Sequence, residues 1–246
     1  MSNLELLKKQ IEPKRLPKHV AVIMDGNGRW ANKKRETRLF GHRYGVEAIR
    51  NLLEIAVEIG IKHLTIYAFS TENWARPEDE IKGLLKLILD SLIKEIDEMS
   101  KNNVVVKFIG MEDKLPKGYS EKIKEECQKS WSNTGLNFNI AMNYGGRAEI
   151  IEAIKAMMPE IQNGEINHTN LDDKLFENYL LTKGTPEPDL MIRTSGEKRL
   201  SNFLIWQSAY TELYFTDVLW PDFKKETFLE AIIEYQNRTR RFGGVK

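Results

Sequence analysis

Asp25 ends a short apolar run, His19-Val20-Ala21-Val22-Ile23-Met24, and is followed at once by Gly26, Asn27, Gly28, Arg29 and Trp30. Gly and Asn tolerate the positive φ that such a turn often needs. The loop therefore gathers a carboxylate, free backbone N–H groups and a guanidinium, a combination that suits a Mg²⁺-bound phosphate or diphosphate. Gly26-Asn27-Gly28-Arg29-Trp30-Ala31 also matches, formally, the dinucleotide fingerprint G-x-G-x-x-G/A. That fingerprint wants an acidic residue about 20 positions on, at the end of a second strand. Glu47 has the spacing but lies in a helical pattern, and Asp25 would repel an unmetallated pyrophosphate. For Asp-Gly alone a solvated tight turn is the default reading, and the adjoining Arg29 and Trp30 weigh against it.

Four further stretches carry reactive or anion-binding types. A basic patch from Lys33 to Arg38 leads to Gly41-His42-Arg43-Tyr44-Gly45. A basic run is usually a solvated face, so Arg38 and His42 gain interest only from lying near the phosphate loop. Ser70-Thr71-Glu72-Asn73-Trp74-Ala75-Arg76-Pro77 puts donors, an aromatic ring and an arginine after a second strand, although Ser70 or Thr71 could simply cap a helical turn. Asn143-Tyr144-Gly145-Gly146-Arg147 follows a third such run, and Arg193-Thr194-Ser195-Gly196, with Arg199-Leu200-Ser201 beyond, a fourth. Five arginines (Arg29, Arg38, Arg76, Arg193, Arg199) exceed what one phosphate requires, so two diphosphates are the economical reading. No catalytic triad, Walker A loop or His metal-ligand spacing occurs.

The elements that must position these residues alternate. Strands are expected at Val20 to Met24, Ile61 to Phe69, Asn103 to Ile109, Leu136 to Met142 and Asp189 to Ile192, with strand-like runs at Asn202 to Trp206 and Leu213 to Phe215. Helices are expected at Val46 to Ile59, Glu78 to about Met99, Tyr119 to Trp131, Ala148 to Met158 and Lys225 to Thr239. Such alternation predicts an α/β domain with a central, largely parallel sheet flanked by helices. Ligands of such sheets bind beyond the carboxyl ends of the strands. Asp25, Ser70, Asn143 and Arg193 each follow a strand and should share that edge. The helix after Pro77 has apolar positions over an arc of roughly 180–240°, wider than the 100° or so of a single core-facing stripe. It should be buried twice: against the sheet, and against a second helix, an apolar ligand channel or another subunit.

Bulk properties set the outer bounds. With 246 residues, 41% hydrophobic and 30% charged, the chain has the make-up of an ordinary globular protein and could be one α/β domain or two small ones; a single domain over 1–246 is expected, with 1–17 as a loosely attached segment. A net charge of +1 gives no field to steer nucleic acid, so none is expected as a partner. Cys127 is the one cysteine, expected half-exposed on a helix, which fits a reducing cytosol. Met1 to Lys18 lacks the apolar h-region of a signal peptide, and no run of about 18 uncharged apolar residues occurs.

The stretches from His19 to Ala31, Gly41 to Gly45, Tyr67 to Pro77, Asn143 to Arg147, Asp189 to Glu197, Arg199 to Gln207 and Glu212 to Phe215 together resemble the cis-prenyltransferases, the undecaprenyl diphosphate synthase family. The resemblance implies that family's fold, with an apolar tunnel between sheet and helices walled in part by the helix after Pro77. Ala68 and Leu136 are plausible lining residues. It implies sequential condensation of isopentenyl diphosphate onto an allylic diphosphate such as farnesyl diphosphate, each new double bond cis. Undecaprenyl diphosphate, a cell-wall lipid carrier precursor, is the product expected; a shorter-chain synthase or a non-catalytic partner subunit is the alternative. By the same resemblance Asp25 and Glu212 hold Mg²⁺, and Gly26, Asn27, Gly28, Arg29, Arg38 and His42 take the allylic diphosphate, with Trp30 against the prenyl chain. Arg193, Arg199, Leu200 and Ser201 belong to the isopentenyl diphosphate site. Asn73 is implied as proton acceptor, with Ser70, Thr71, Glu72, Trp74 and Arg76 in its loop. A neutral amide is a very weak base, so Asn73 better suits orienting a diphosphate oxygen or water that takes the proton. A cytoplasmic homodimer is implied, with peripheral membrane contact for product release and the Arg241-Phe242-Gly243 tail reaching the partner's site.

Overall fold

A computed structural model describes residues 2–240. Six strands, β1 (His19–Ile23), β2 (His63–Ser70), β3 (Val105–Ile109), β4 (Asn137–Tyr144), β5 (Leu190–Arg193) and β6 (Glu212–Phe215), form one sheet in the order β3-β4-β2-β1-β5-β6. Every pairing is parallel. The run Asn202 to Trp206 is not a strand; it is a chain of turns whose Phe203 and Leu204 are buried against one sheet face. Its apolar side chains made it look like a strand, but they serve as a lid rather than a ladder.

Parallel strands need both faces covered, and β1 shows how the sequence meets that demand. Val20 and Val22 point into the main core, while Ala21 and Ile23 point to the opposite face, beneath Phe203 and Leu204. The main core lies under α3 (Arg38–Ile59), α4 (Glu78–Lys101), α5 (Tyr119–Gln128) and α8 (Lys225–Gln236). The remaining helices are α1 (Asn3–Gln10), α2 (Asn27–Lys33), α6 (Gly146–Gln162) and α7 (Asp173–Glu177). Cys127 is buried in the main core, not half-exposed, because it shares the inward stripe of α5 with Tyr119 and Ile123.

The segment before β1 is docked rather than loosely attached. Leu4, Leu7, Ile11 and Leu16 pack on the main core, and the Gln236 side chain exchanges two hydrogen bonds with the backbone of Glu12 (2.8 and 3.2 Å). α3 begins eight residues before the expected Val46, its N-terminus capped by the Thr37 hydroxyl, which accepts from Phe40 N–H. Arg38 and His42 are therefore helical and rigidly aimed. That early start works because Gly41 lets α3 lie directly on α2: a Cβ at Gly41 would sit 2.2 Å from the Asn27 carbonyl oxygen. We expect Gly41→Ala to lower stability by about 1–3 kcal/mol, read as a lower urea midpoint at unchanged m-value.

Candidate active site

The strand order reverses at β1, with β2, β4 and β3 on one side and β5 and β6 on the other. Such a switch point opens a crevice at the carboxyl ends of the strands, and the loops after β1 and β5 meet there. The Thr194 hydroxyl accepts from Asp25 N–H (2.9 Å) and donates to the Asp25 carbonyl (2.6 Å), knotting the two loops together. Gly26 follows with φ +106°, and a Cβ there would also press on Leu219 and Ser195. The Asp25 carboxylate accepts from Gly26 N–H (2.7 Å) and from Arg193 Nη2 (2.9 Å). Burial pushes the Asp25 pKa up, but the Arg193 guanidinium and the Gly26 N–H outweigh it and hold the carboxyl below its ordinary value. Asn27, Gly28 and Arg29 start α2 and present the unpaired N–H groups of a first helical turn.

Arg193 is the hub of a second cluster. Its Nη1 donates to Ser201 Oγ (2.6 Å) and to the Arg199 carbonyl, and its buried Nε has no partner among the described groups. Arg199 pairs with Glu197, which lies 3.4 Å from Arg29; Arg29 in turn donates to Ser195 Oγ. Ser195, Ser201, Asn202 and Leu204 all adopt positive φ (46–76°). Non-glycine residues held there store strain of order 1–3 kcal/mol each. Asn202 secures the loop: its side chain donates to Glu72 (2.8 Å) and accepts from Arg147 N–H (2.9 Å), and its carbonyl accepts from Gly146 N–H (2.7 Å). Leu200 anchors the loop on the second core.

A third cluster flanks the other side of the crevice. Arg76 and Arg38 both reach Glu80, at 3.0 and 3.4 Å. Burial, then the charges of Arg76 and Arg38, lower the His42 pKa to about 4, so the ring is neutral near pH 7. Thr71–Ala75 form a 3-10 turn in which the Ser70 hydroxyl accepts from Asn73 N–H while Asn73 Oδ1 accepts from Ser70 N–H (3.0 Å). The amide oxygen of Asn73 is thus already engaged, and its Nδ2 is the atom left to face a ligand. Thr71 donates to Glu72 (3.2 Å), and Trp74 donates to Asn143 Oδ1 (2.6 Å). Asn143 is fully buried, so it supports Trp74 from the wall rather than facing the cleft.

From Asn27 and His42 an apolar cavity runs between α3, α4 and the sheet. Leu84, Ile88 and Leu92 of α4 line it, so the wide apolar arc of that helix serves a channel as well as the core. Ala68 lines it as expected. Leu136 does not; it is packed in the main core, and Phe138 and Ile140 take its place along β4.

Two residues that the resemblance gathers here lie elsewhere. Glu212 is level with Leu190 and hence with Val20, at the amino edge of the sheet, on the order of 15 Å short of Asp25 along the strands. It pairs instead with Arg238 (2.8 Å), so within one chain Asp25 and Glu212 cannot share an ion. Trp30 packs against Phe40 and Tyr44 and donates to Asp222 (2.8 Å), away from the cavity lining. Conversely, Glu80, Thr194, Ser195, Glu197 and Asn202 organise the site without having been assigned roles. Their motifs were visible, but their partners lie up to 169 residues away in sequence.

No group of three or more metal-ligating side chains exists among the described residues. Mg²⁺ is commonly held by one or two carboxylates plus substrate phosphates and water, so Asp25 fits an ion that arrives with a diphosphate. In the ligand-free protein the His42 ring should titrate near pH 4 by NMR. Inorganic pyrophosphate should raise that value, because a nearby anion favours the imidazolium; a free-protein pKa near 6.5 would contradict the burial described.

The geometry agrees with comparisons to known proteins. Residues 23–243 match the prenyltransferase family model described as "Putative undecaprenyl diphosphate synthase". An isoprenyl transferase of Clostridium tetani is 51% identical, over 97% of this chain and 93% of its own. A ditrans,polycis-undecaprenyl-diphosphate synthase of Haemophilus influenzae, described as (2E,6E)-farnesyl-diphosphate specific, is 47% identical over 96% and 99%. Lavandulyl diphosphate synthase from Lavandula x intermedia, solved in complex with dimethylallyl diphosphate, superposes with a TM-score of 0.91 at 36% identity, covering 94% of this chain and all of that one. Anion-binding loops beside an apolar channel, on this sheet and with this breadth of sequence identity, leave one assignment: the chain belongs to the undecaprenyl diphosphate synthase family of prenyltransferases.

Proposed function

We propose that the protein condenses isopentenyl diphosphate repeatedly onto an allylic diphosphate, farnesyl diphosphate being the primer, to give a long cis-polyprenyl diphosphate of undecaprenyl length. The observation that carries this reading is the asymmetry of the two anion clusters. The cavity mouth at Asn27 and His42 adjoins the α2 N-terminus, Arg29 and Arg38, so a diphosphate held there can send a hydrocarbon tail down the channel. The Arg193, Arg199 and Ser201 cluster does not line that channel and suits a diphosphate with a five-carbon tail.

In this reaction the terminal alkene carbon of the isopentenyl unit bonds to C1 of the allylic unit. The allylic C1–O bond breaks, diphosphate departs and a proton leaves the isopentenyl C2. Asp25 would hold a Mg²⁺ ion carried by diphosphate oxygens, and that ion would offset the charge developing on the leaving group. Arg29, Arg38 and the α2 N–H groups receive the same charge through preorganised donors. The unengaged Nδ2 of Asn73 orients a diphosphate oxygen or water, which takes the proton. Arg193 has two roles to exchange: it releases Asp25 as isopentenyl diphosphate binds, and its orphan Nε gains an acceptor.

A homodimer is proposed as well. Ile151, Ile154 and Met158, all exposed, fall on one stripe of α6, and a second copy would cover them. The expected role of Arg241-Phe242-Gly243 lies outside the described residues. No helix of the described residues is long and apolar enough to cross a membrane, and a cytoplasmic place of action with peripheral contact at the inner membrane face is proposed.

Mass analysis of products from farnesyl and isopentenyl diphosphates tests the function. A Mg²⁺-dependent ladder ending near undecaprenyl length is expected, and it should vanish with chelator and in Asp25→Ala; no product from folded wild-type protein would refute the reading. The split between clusters is read from KM. Ser201→Ala should raise KM for isopentenyl diphosphate several-fold more than for the primer, and Arg38→Ala should do the reverse.

A further inference from the structure

The apolar channel does not end at a hydrophobic wall. Its far end is closed by Arg50 of α3 and Glu95 of α4, joined across the gap by two charge-assisted hydrogen bonds: Nε to Oε2 at 2.9 Å and Nη2 to Oε1 at 2.5 Å. Glu47, one turn before Arg50, accepts from its Nη1 (2.9 Å) and holds the fork in place. Glu95 is only 8% exposed. Beyond the pair a groove continues between the same two helices, with Leu53, Val57, Met99 and Val104 along its apolar floor and Glu54, Glu58, Glu98 and Asn102 at its solvent rim. Arg50, Glu95 and Met99 are common to channel and groove. The ion pair is thus a polar waist between the apolar channel and a groove whose floor is apolar and whose rim is acidic.

Neither the fold nor the chemistry at Asp25 accounts for it. Only the Glu95 side of the pair is buried, the Arg50 side chain being 35% exposed, and such an ion pair is weak evidence for stability. α3 and α4 are already joined by apolar contacts along the channel. The waist does have a consequence for a chain growing from the diphosphate end. Every five-carbon addition pushes the apolar tail deeper, until its tip meets the clamp. To pass, the tail must break both charge-assisted hydrogen bonds and leave the buried Glu95 carboxylate against hydrocarbon without its counter-charge, which is costly.

We propose that the Arg50–Glu95 pair is a chain-length gate and that the groove beyond it receives the tail once the gate opens. The proposal rests on the prenyl-transfer reading and names residues that set the product of that reaction. Opening the gate permanently should lengthen the products, and filling the groove should shorten them.

The test is the product ladder of Arg50→Met/Glu95→Leu, which replaces the pair by apolar side chains. Its distribution should shift by at least one five-carbon unit toward longer chains than the wild-type ladder. Adding Val57→Trp, which fills the groove, should reverse that shift. The charge-swapped Arg50→Glu/Glu95→Arg variant, combined with Glu47→Gln so that no carboxylate opposes the new one, rebuilds a pair and should return the wild-type ladder. If the apolar variant fails to fold, Glu95→Gln, which keeps the shape but removes the ion pair, should shift the ladder in the same direction. A folded, active apolar variant with the wild-type ladder would overturn the gate alone, as would a shift that Val57→Trp leaves unchanged. A wild-type protein making no ladder would overturn the prenyl-transfer reading and the gate with it.

Discussion

The site depends on the contact between Asp25 and Arg193, a carboxylate and a guanidinium brought together where the strand order reverses. Arg193 is almost wholly buried, while Asp25 is about one-third exposed. A buried guanidinium needs a counter-charge, and Asp25 supplies it while the cleft has no ligand. The same two groups then want different partners: the guanidinium a diphosphate, the carboxylate a divalent cation. Their mutual neutralisation keeps both aimed into the crevice with their desolvation already partly met. Thr194, bonding to both sides of the Asp25 peptide, fixes the distance across which they meet.

The remaining arginines follow the same logic. Arg38 and Arg76 share Glu80, and Arg199 shares Glu197 with Arg29. Each acidic residue holds a guanidinium near the place an anion would occupy, so less side-chain freedom is lost on binding. The loop from Ser195 to Leu204 holds four strained backbone positions because Asn202 ties it to Glu72 and to the start of α6. The anion clusters are therefore built from side chains that are restrained before any substrate arrives.

The apolar channel answers a different constraint. A substrate with a charged head and a growing hydrocarbon tail needs polar preorganisation at one end and dispersion contacts along the rest. α3 and α4 satisfy both, since their N-terminal turns carry Arg38, His42 and Glu80 while their later turns line the cavity. Helices of 22 and 24 residues give the channel its length, and Gly41 and Gly45 let α3 approach the Asp25 loop closely enough to join head to tail.

Much of this was legible in the amino-acid order, because it rests on local physics. Apolar periodicity marked the strands and helices, turn residues placed Asp25, Ser70 and Arg193 at strand ends, and parallel topology sent those ends to one edge. The family motifs supplied the chemistry. Tertiary structure decided what depends on side chains distant in sequence. It sent Glu212 to the opposite edge, because parallel register sets the start of β6 level with the start of β5. It buried Trp30 against Phe40 and Tyr44, turned Asn202 to Trp206 into a lid, and placed Phe138 rather than Leu136 on the channel. Sequence spacing determines which residues end a strand; only packing across the sheet and between helices determines which of them touch.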